Sequence, residues 1–227
     1  MFPERLTQGY RAFLSDRFQR EQARYRALAD GQSPEVMVIS CCDSRVSPEV
    51  IFDANPGELF VVRNVANLVP PYETGGEYHG TSAALEFAVQ ALRVKHIVVL
   101  GHARCGGIRA FADPSEPLSP GDFIGRWMNL IRPAAERLGP RRGDFADYLA
   151  NLELKAIEHS LENLMTFPCI QVLVEKGKLH LHGAYFGIAT GVLMVRDPET
   201  GSFVPVCEDM PERPTLFQAA EVREPAQ

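Results

Sequence analysis

His96-Ile97-Val98-Val99-Leu100-Gly101-His102-Ala103-Arg104-Cys105-Gly106-Gly107 is the stretch whose reading decides the fold. It opens on a short apolar run, the pattern of a strand buried on both faces, and breaks at Gly101 into a polar loop. Val36-Met37-Val38-Ile39 and Leu59-Phe60-Val61-Val62 are two earlier runs of the same kind. Residues 81–92, rich in Ala and Leu, read as a crossover helix between the second and third runs. Strands alternating with helices imply a parallel sheet. The first run ends in a second polar loop, Cys41-Cys42-Asp43-Ser44-Arg45, so both loops fall at the carboxyl edge of the sheet, where open α/β folds bind ligands.

Working outward, residues 4–29 carry apolar side chains near helical spacing and read as an amphipathic helical arm, closed by Gly31 and Pro34. Helical patterns recur over 123–138 and 144–165, with Pro168 as the stop of the latter. Residues 170–174 are expected to form a strand, followed by strands over 179–186, 192–195 and 203–206. The fold class is therefore α/β: a mostly parallel sheet flanked by helices, with the helical arm in front and an antiparallel strand toward the C-terminus. One domain accounts for 1–227, comprising the arm at 1–33, a core at 34–207 and a tail at 208–227.

Composition narrows the function. A net charge of −6 leaves no excess of Lys and Arg to neutralise phosphates, so a nucleic-acid partner is not expected. No run approaches the ~20 apolar residues of a spanning helix, so no membrane partner is expected either. Met1-Phe2-Pro3-Glu4-Arg5 lacks the pattern of a secretory leader. Five cysteines, two of them adjacent, do not suggest a disulfide framework, and the expected address is the cytoplasm.

Chemistry concentrates in the two loops. Two thiolates and an imidazole form a ligand set that suits zinc, and three protein ligands leave a fourth position for water. A lone cysteine reads more simply as a buried thiol. Two loops at one sheet edge, one of them with Asp-Ser-Arg beside its cysteines, favour a metal. Neighbouring side chains on an extended segment point to opposite sides, so only one of Cys41 and Cys42 can face it. Other signals have plainer readings. His180 and His182, two apart on one strand face, could present a metal pair, but Leu179 and Leu181 on the other face and no third histidine nearby favour a plain half-exposed strand. Gly101 to Gly107 lacks the Lys and Ser/Thr of a phosphate loop. His79 reads as an exposed loop residue, His96 and His159 carry no signal, and Cys169 and Cys207 are structural thiols.

Cys-x-Asp-Ser-Arg followed downstream by His-x-x-Cys-Gly-Gly resembles the beta-class carbonic anhydrases. The resemblance extends through residues 56–67 and 181–185, and runs from about Gln32 to about Val195. It implies zinc on Cys41, His102 and Cys105, one ion per chain, with Cys42 a packed thiol. It implies Asp43 and Arg45 as a catalytic dyad, and Gln32, Phe60, Phe87 and Gly106 at the substrate cleft. The implied reaction is reversible hydration of carbon dioxide to bicarbonate by hydroxide on zinc. The implied assembly is a homodimer or higher homo-oligomer wrapped by the arm. Two rivals are a carbon disulfide or carbonyl sulfide hydrolase on the same scaffold, and a zinc-holding protein without turnover. No extra tail segment closes the cleft as the first requires, and the intact Asp43 and Arg45 argue against the second. Some members of the class close their site by swinging the dyad aspartate onto zinc, and bicarbonate-regulated members carry Trp where this chain has Val38. An open site is therefore expected.

Overall fold

The computed structural model describes residues 2–75, 79–113 and 123–207. The expected tail at 208–227 and Tyr78 lie outside the described residues. The elements run α1 (Glu4–Ser15), α2 (Arg17–Leu28), β1 (Val36–Cys41), α3 (Pro48–Ile51), β2 (Leu59–Asn64), α4 (Gly80–Glu86, continued as a π-helical turn over Phe87–Leu92), β3 (His96–His102) and α5 (Gly106–Ala112). They continue as α6 (Ile124–Met128), α7 (Arg132–Leu138), α8 (Phe145–Leu164), α9 (Pro168–Glu175), β4 (His180–Phe186), β5 (Leu193–Arg196) and β6 (Phe203–Pro205).

Among the described residues, six strands form one sheet in the order β2-β1-β3-β4-β5-β6. The first four are mutually parallel, and β5 and β6 are antiparallel. The three apolar runs are thus neighbours, with Val36 beside both Leu59 and His96. Alternation along β1 sends Met37 and Ile39 to one face, where they meet Leu85, Ala88 and Val89 of the α4 segment, Ile157 and Leu164 of α8, and Ile170 of α9. Val38 points to the other face, with Leu100 and Ala184. A third apolar cluster sits over the carboxyl edge and includes Cys41, Cys105, Ile108, Met128 and Leu152.

Helix α8 starts at its cap: the Asp144 carboxylate accepts the Ala146 N–H at 2.6 Å. It then lies close on the sheet. A Cβ on Gly101 would stand 2.7 Å from Ile157 Cδ1, and one on Gly183 would stand 3.0 Å from Ile157 Cγ2. Bare backbone at these two points lets the helix approach.

Two expectations need correction. Residues 170–174 are helical, not a strand, and Pro168 opens α9 rather than stopping its predecessor. Pro is at home in a first helical turn, where no N–H is needed. Ile170 is buried and Leu173 and Val174 pack on the core, a three-to-four residue period, while Val172 is 45% exposed. The β-branched composition concealed that period. The arm is also two helices rather than one, broken at Asp16, where φ is −123° and ψ −79°. No residue of either helix is buried. Among the described residues, no helix is long and apolar enough to cross a membrane.

Candidate metal centre

Cys41 ends β1, and Cys42 is tied to β2 through its N–H on the Asn64 carbonyl at 2.9 Å. Arg63, on β2, clamps the loop that follows. Its guanidinium donates to the carbonyls of Cys41 (2.8 Å), Asp43 (2.6 Å) and Val46 (2.8 Å). The chain after β2 turns through two left-handed residues, Ala66 (φ 64°) and Asn67 (φ 49°). Non-glycine residues adopt that conformation at a cost of roughly 1–2 kcal/mol. Here it directs the Ala66 N–H at Cys41 Sγ, 3.4 Å away.

His102 ends β3, and Cys105 precedes α5. Arg104, also left-handed at φ 56°, turns the chain between them. The side chains of Cys41, His102 and Cys105 are buried and converge, with all three ligand atoms within 4.8 Å of one another. Among the described residues this is the one group of three metal-ligating side chains so arranged. Cys42 stands outside it as expected, but it is exposed rather than a packed thiol.

The site fits a divalent cation. His102 Nδ1 lies 3.0 Å from the Ala103 carbonyl, so the neutral ring carries its hydrogen there and leaves the Nε2 lone pair free. Nε2 is buried and, among the described residues, has no hydrogen-bond partner, a rare state for a polar atom. The two thiols divide one proton between them. Hydrogen bonding from Cys105 pulls Cys41 far toward the thiolate. The Cys41 sulfur and burial push Cys105 the other way, against the Gly107 and Ile108 N–H groups that favour its charged form. A bound cation replaces that shared proton and lets both sulfurs ionise.

Beside the ligands stands a carboxylate held by a guanidinium. Arg45 donates from Nε to Asp43 Oδ1 (2.9 Å) and from Nη2 to Oδ2 (2.6 Å), and its backbone N–H adds a third bond at 3.0 Å. These bonds hold the Asp43 carboxyl well below the usual carboxylate range. Arg45 also reaches the Arg104 carbonyl at 3.1 Å, joining the two loops. Asp43 Oδ2 is 3.9 Å from His102 Nε2, so an ionised acceptor borders the point where the ligand atoms meet.

The supporting groups carried little sequence signal. Glu153 of α8 is 2% exposed and accepts the Cys105 N–H (2.8 Å) and the Tyr185 hydroxyl (2.7 Å). Burial pushes its carboxyl up to about 7. The readable clue was a glutamate on the buried stripe of Leu149, Leu152, Ala156 and Ile157. Arg63, which bonds three carbonyls of the loop, had no local signature.

The expected cleft residues do not gather at this centre. Gln32 is exposed on the loop before β1. Phe60 and Phe87 pack on each other with ring centroids 5.9 Å apart, and Phe87 is 49% exposed. Phe60 is in register with Met37, four positions before Cys41, or about 13 Å along the strand. Gly106 is at the site as the first residue of α5, with open space where a side chain would stand.

The parallel-sheet scaffold thus carries at its carboxyl edge a Cys-His-Cys group suited to zinc, with an Asp–Arg pair beside it. The carbonic anhydrase family profile matches residues 36–193, and the chain belongs to that family, in its beta class. It is 40% identical over 183 residues to beta carbonic anhydrase 5, chloroplastic, of Arabidopsis thaliana, covering 80% of this chain and 60% of that protein's length. The solved structure of the beta-carbonic anhydrase CcaA superposes with a TM-score of 0.82 at 29% identity, covering 91% of this chain and 93% of the other. A tetrameric beta-carbonic anhydrase from Sordaria macrospora gives 0.73 at 29% identity, covering 88% and 96%. Zinc is the cofactor of this family, and among the described residues the Cys41, His102 and Cys105 group is the one that fits it.

Proposed function

We propose that this chain catalyses the reversible hydration of carbon dioxide to bicarbonate and a proton, with zinc held by Cys41, His102 and Cys105. The observation that carries the reading is the juxtaposition of that buried ligand group with an ionised Asp43, 3.9 Å from His102 Nε2. Zinc supplies the Lewis acidity that makes a water molecule acidic near neutral pH. Asp43 accepts a hydrogen bond from the attacking water and so fixes which lone pair faces the carbon. Arg45 keeps Asp43 charged and holds both its oxygens beside, rather than among, the ligand atoms, the open arrangement. Val38, packed among apolar neighbours, offers no ring or N–H donor for an anion that would favour closing it. The open space at the Gly106 Cβ position supports the approach of a bicarbonate oxygen to its N–H.

Assembly completes the cleft. Phe60 and Phe87 lie too far from their own Cys41 to line its site, so in this reading they and Gln32 line the site of a second copy. The unburied arm is the segment suited to wrap that copy, and the tetrameric relative supports a homodimer or higher assembly. Stopped-flow hydration with a pH indicator tests the reading. Asp43→Ala should keep its zinc and lose on the order of 100-fold in turnover, the worth of a positioned proton-handling group. Full turnover in that variant, or hydrolysis of carbonyl sulfide without carbon dioxide hydration, would overturn it.

A further inference from the structure

At the opposite end of the sheet from the cysteine centre, three imidazoles meet on one face. His96 opens β3, and His180 and His182 lie two apart at the start of β4. His96 is directly in register with His180. Its ring stacks on that of His180 with centroids 5.3 Å apart and tilts against that of His182 at 5.2 Å. His96 Nδ1 and His182 Nε2 are 3.1 Å apart. Among the described residues, neither ring makes another hydrogen bond. The sequence hid the cluster because His96 is far from the other two along the chain.

We propose that His96 and His182 form a second metal site, for a divalent transition ion that favours imidazole, with His180 as an adjoining third ligand. Two nitrogens each about 2.05 Å from one ion and 3.1 Å from each other subtend roughly 100° at it, near the tetrahedral angle. Imidazole nitrogen suits nickel, copper and zinc. His182 meets the requirement that such a ligand be neutral: burial first, then the two neighbouring rings, hold it below the usual imidazole range. The nearest opposite charges cancel locally, since the Glu35 carboxylate that faces His96 is tied to Lys95. Val36 flanks His96 on the β1 side and adds no competing charge. His180, exposed and two residues from His182 on the same strand face, reaches the ion by rotation of its side chain. This site is independent of the cysteine centre and does not rest on the proposed reaction.

The test is equilibrium dialysis of the zinc-loaded full chain against Ni2+ at neutral pH, read by elemental analysis. The expected result is one nickel per chain beyond the zinc, lost in His96→Asn and in His182→Asn. Both variants should retain zinc, circular dichroism and carbon dioxide hydration. Paramagnetic Ni2+ should also broaden the ring-proton resonances of His96 and His182 in the unaltered chain, a readout that does not depend on either variant folding. A ratio that stays at zinc alone, nickel retained in both variants, or ring resonances left sharp would each overturn the assignment.

Discussion

Replacing Glu153 by Ala should damage both the fold and the hold on zinc. The carboxylate accepts the Cys105 N–H at 2.8 Å and the Tyr185 hydroxyl at 2.7 Å inside a region closed to solvent. Truncation strands both donors, at about 1–3 kcal/mol each. Against that stands relief of burying the carboxyl itself, whose cost is visible in its displacement to about 7. The balance places the loss at about 2–4 kcal/mol. Glu153→Gln should cost below about 1 kcal/mol, because the amide oxygen still accepts from Cys105 and the Tyr185 hydroxyl can rotate to accept from the amide. Urea denaturation of the zinc-loaded and stripped chains measures the stability change. Competition with a chelator measures zinc affinity, expected to fall about 10- to 100-fold in Glu153→Ala as Cys105 loses its anchor. A cycle with Tyr185→Phe should return a coupling of about 1 kcal/mol. Glu153→Ala within about 0.5 kcal/mol of the parent, with unchanged zinc competition, would refute the claim that Glu153 positions Cys105.

Three further expectations follow from the geometry. Cys41→Ser should release zinc while Cys42→Ser keeps it, since only Cys41 turns into the buried group; elemental analysis decides, and the reverse pattern contradicts the ligand assignment. Gly101→Ala places a methyl 2.7 Å from the fully buried Ile157 and should cost about 1–3 kcal/mol in thermal unfolding; an unchanged Tm would mean that α8 shifts freely. His182, held below the ordinary 6.5 by burial and its neighbours, takes up a proton in the unfolded chain before the folded one. Stability tied to its neutral ring is complete above about pH 6.5 and is lost as pH falls from there through the lower folded value. Urea midpoints should drop more steeply over that window in the parent chain than in His182→Gln, and parallel slopes would contradict the burial argument.

How much of this was legible in the sequence follows the range of the forces involved. The three apolar runs revealed a parallel sheet because burial on both faces of a strand writes itself into consecutive residues. The centre was legible for a related reason: each ligand immediately follows or ends such a run, so strand position alone brought Cys41, His102 and Cys105 to one edge. Interactions between elements far apart in sequence were not legible. Arg63 acts on carbonyls of residues 41–46 through its side chain, and Glu153 reaches Cys105 across the core. Residues 170–174 read as a strand because β-branched composition and a buried helical stripe give opposite signals over a short window, and a proline such as Pro168 looks the same in sequence whether it ends one helix or begins the next. The position of Phe60 away from its own centre depends on the register of β2 against β1, which the assembled sheet sets.

The central claim is a zinc-dependent hydration site on Cys41, His102 and Cys105, and a titration tests it most directly. The stripped chain is given rising amounts of zinc, and its initial rate of carbon dioxide hydration is followed by stopped flow. The account predicts a rate that rises from the uncatalysed background and breaks sharply at one zinc per chain, with no rise in Cys41→Ser. A rate that stays at background after one zinc is bound, or one equally high in the stripped chain, would contradict it.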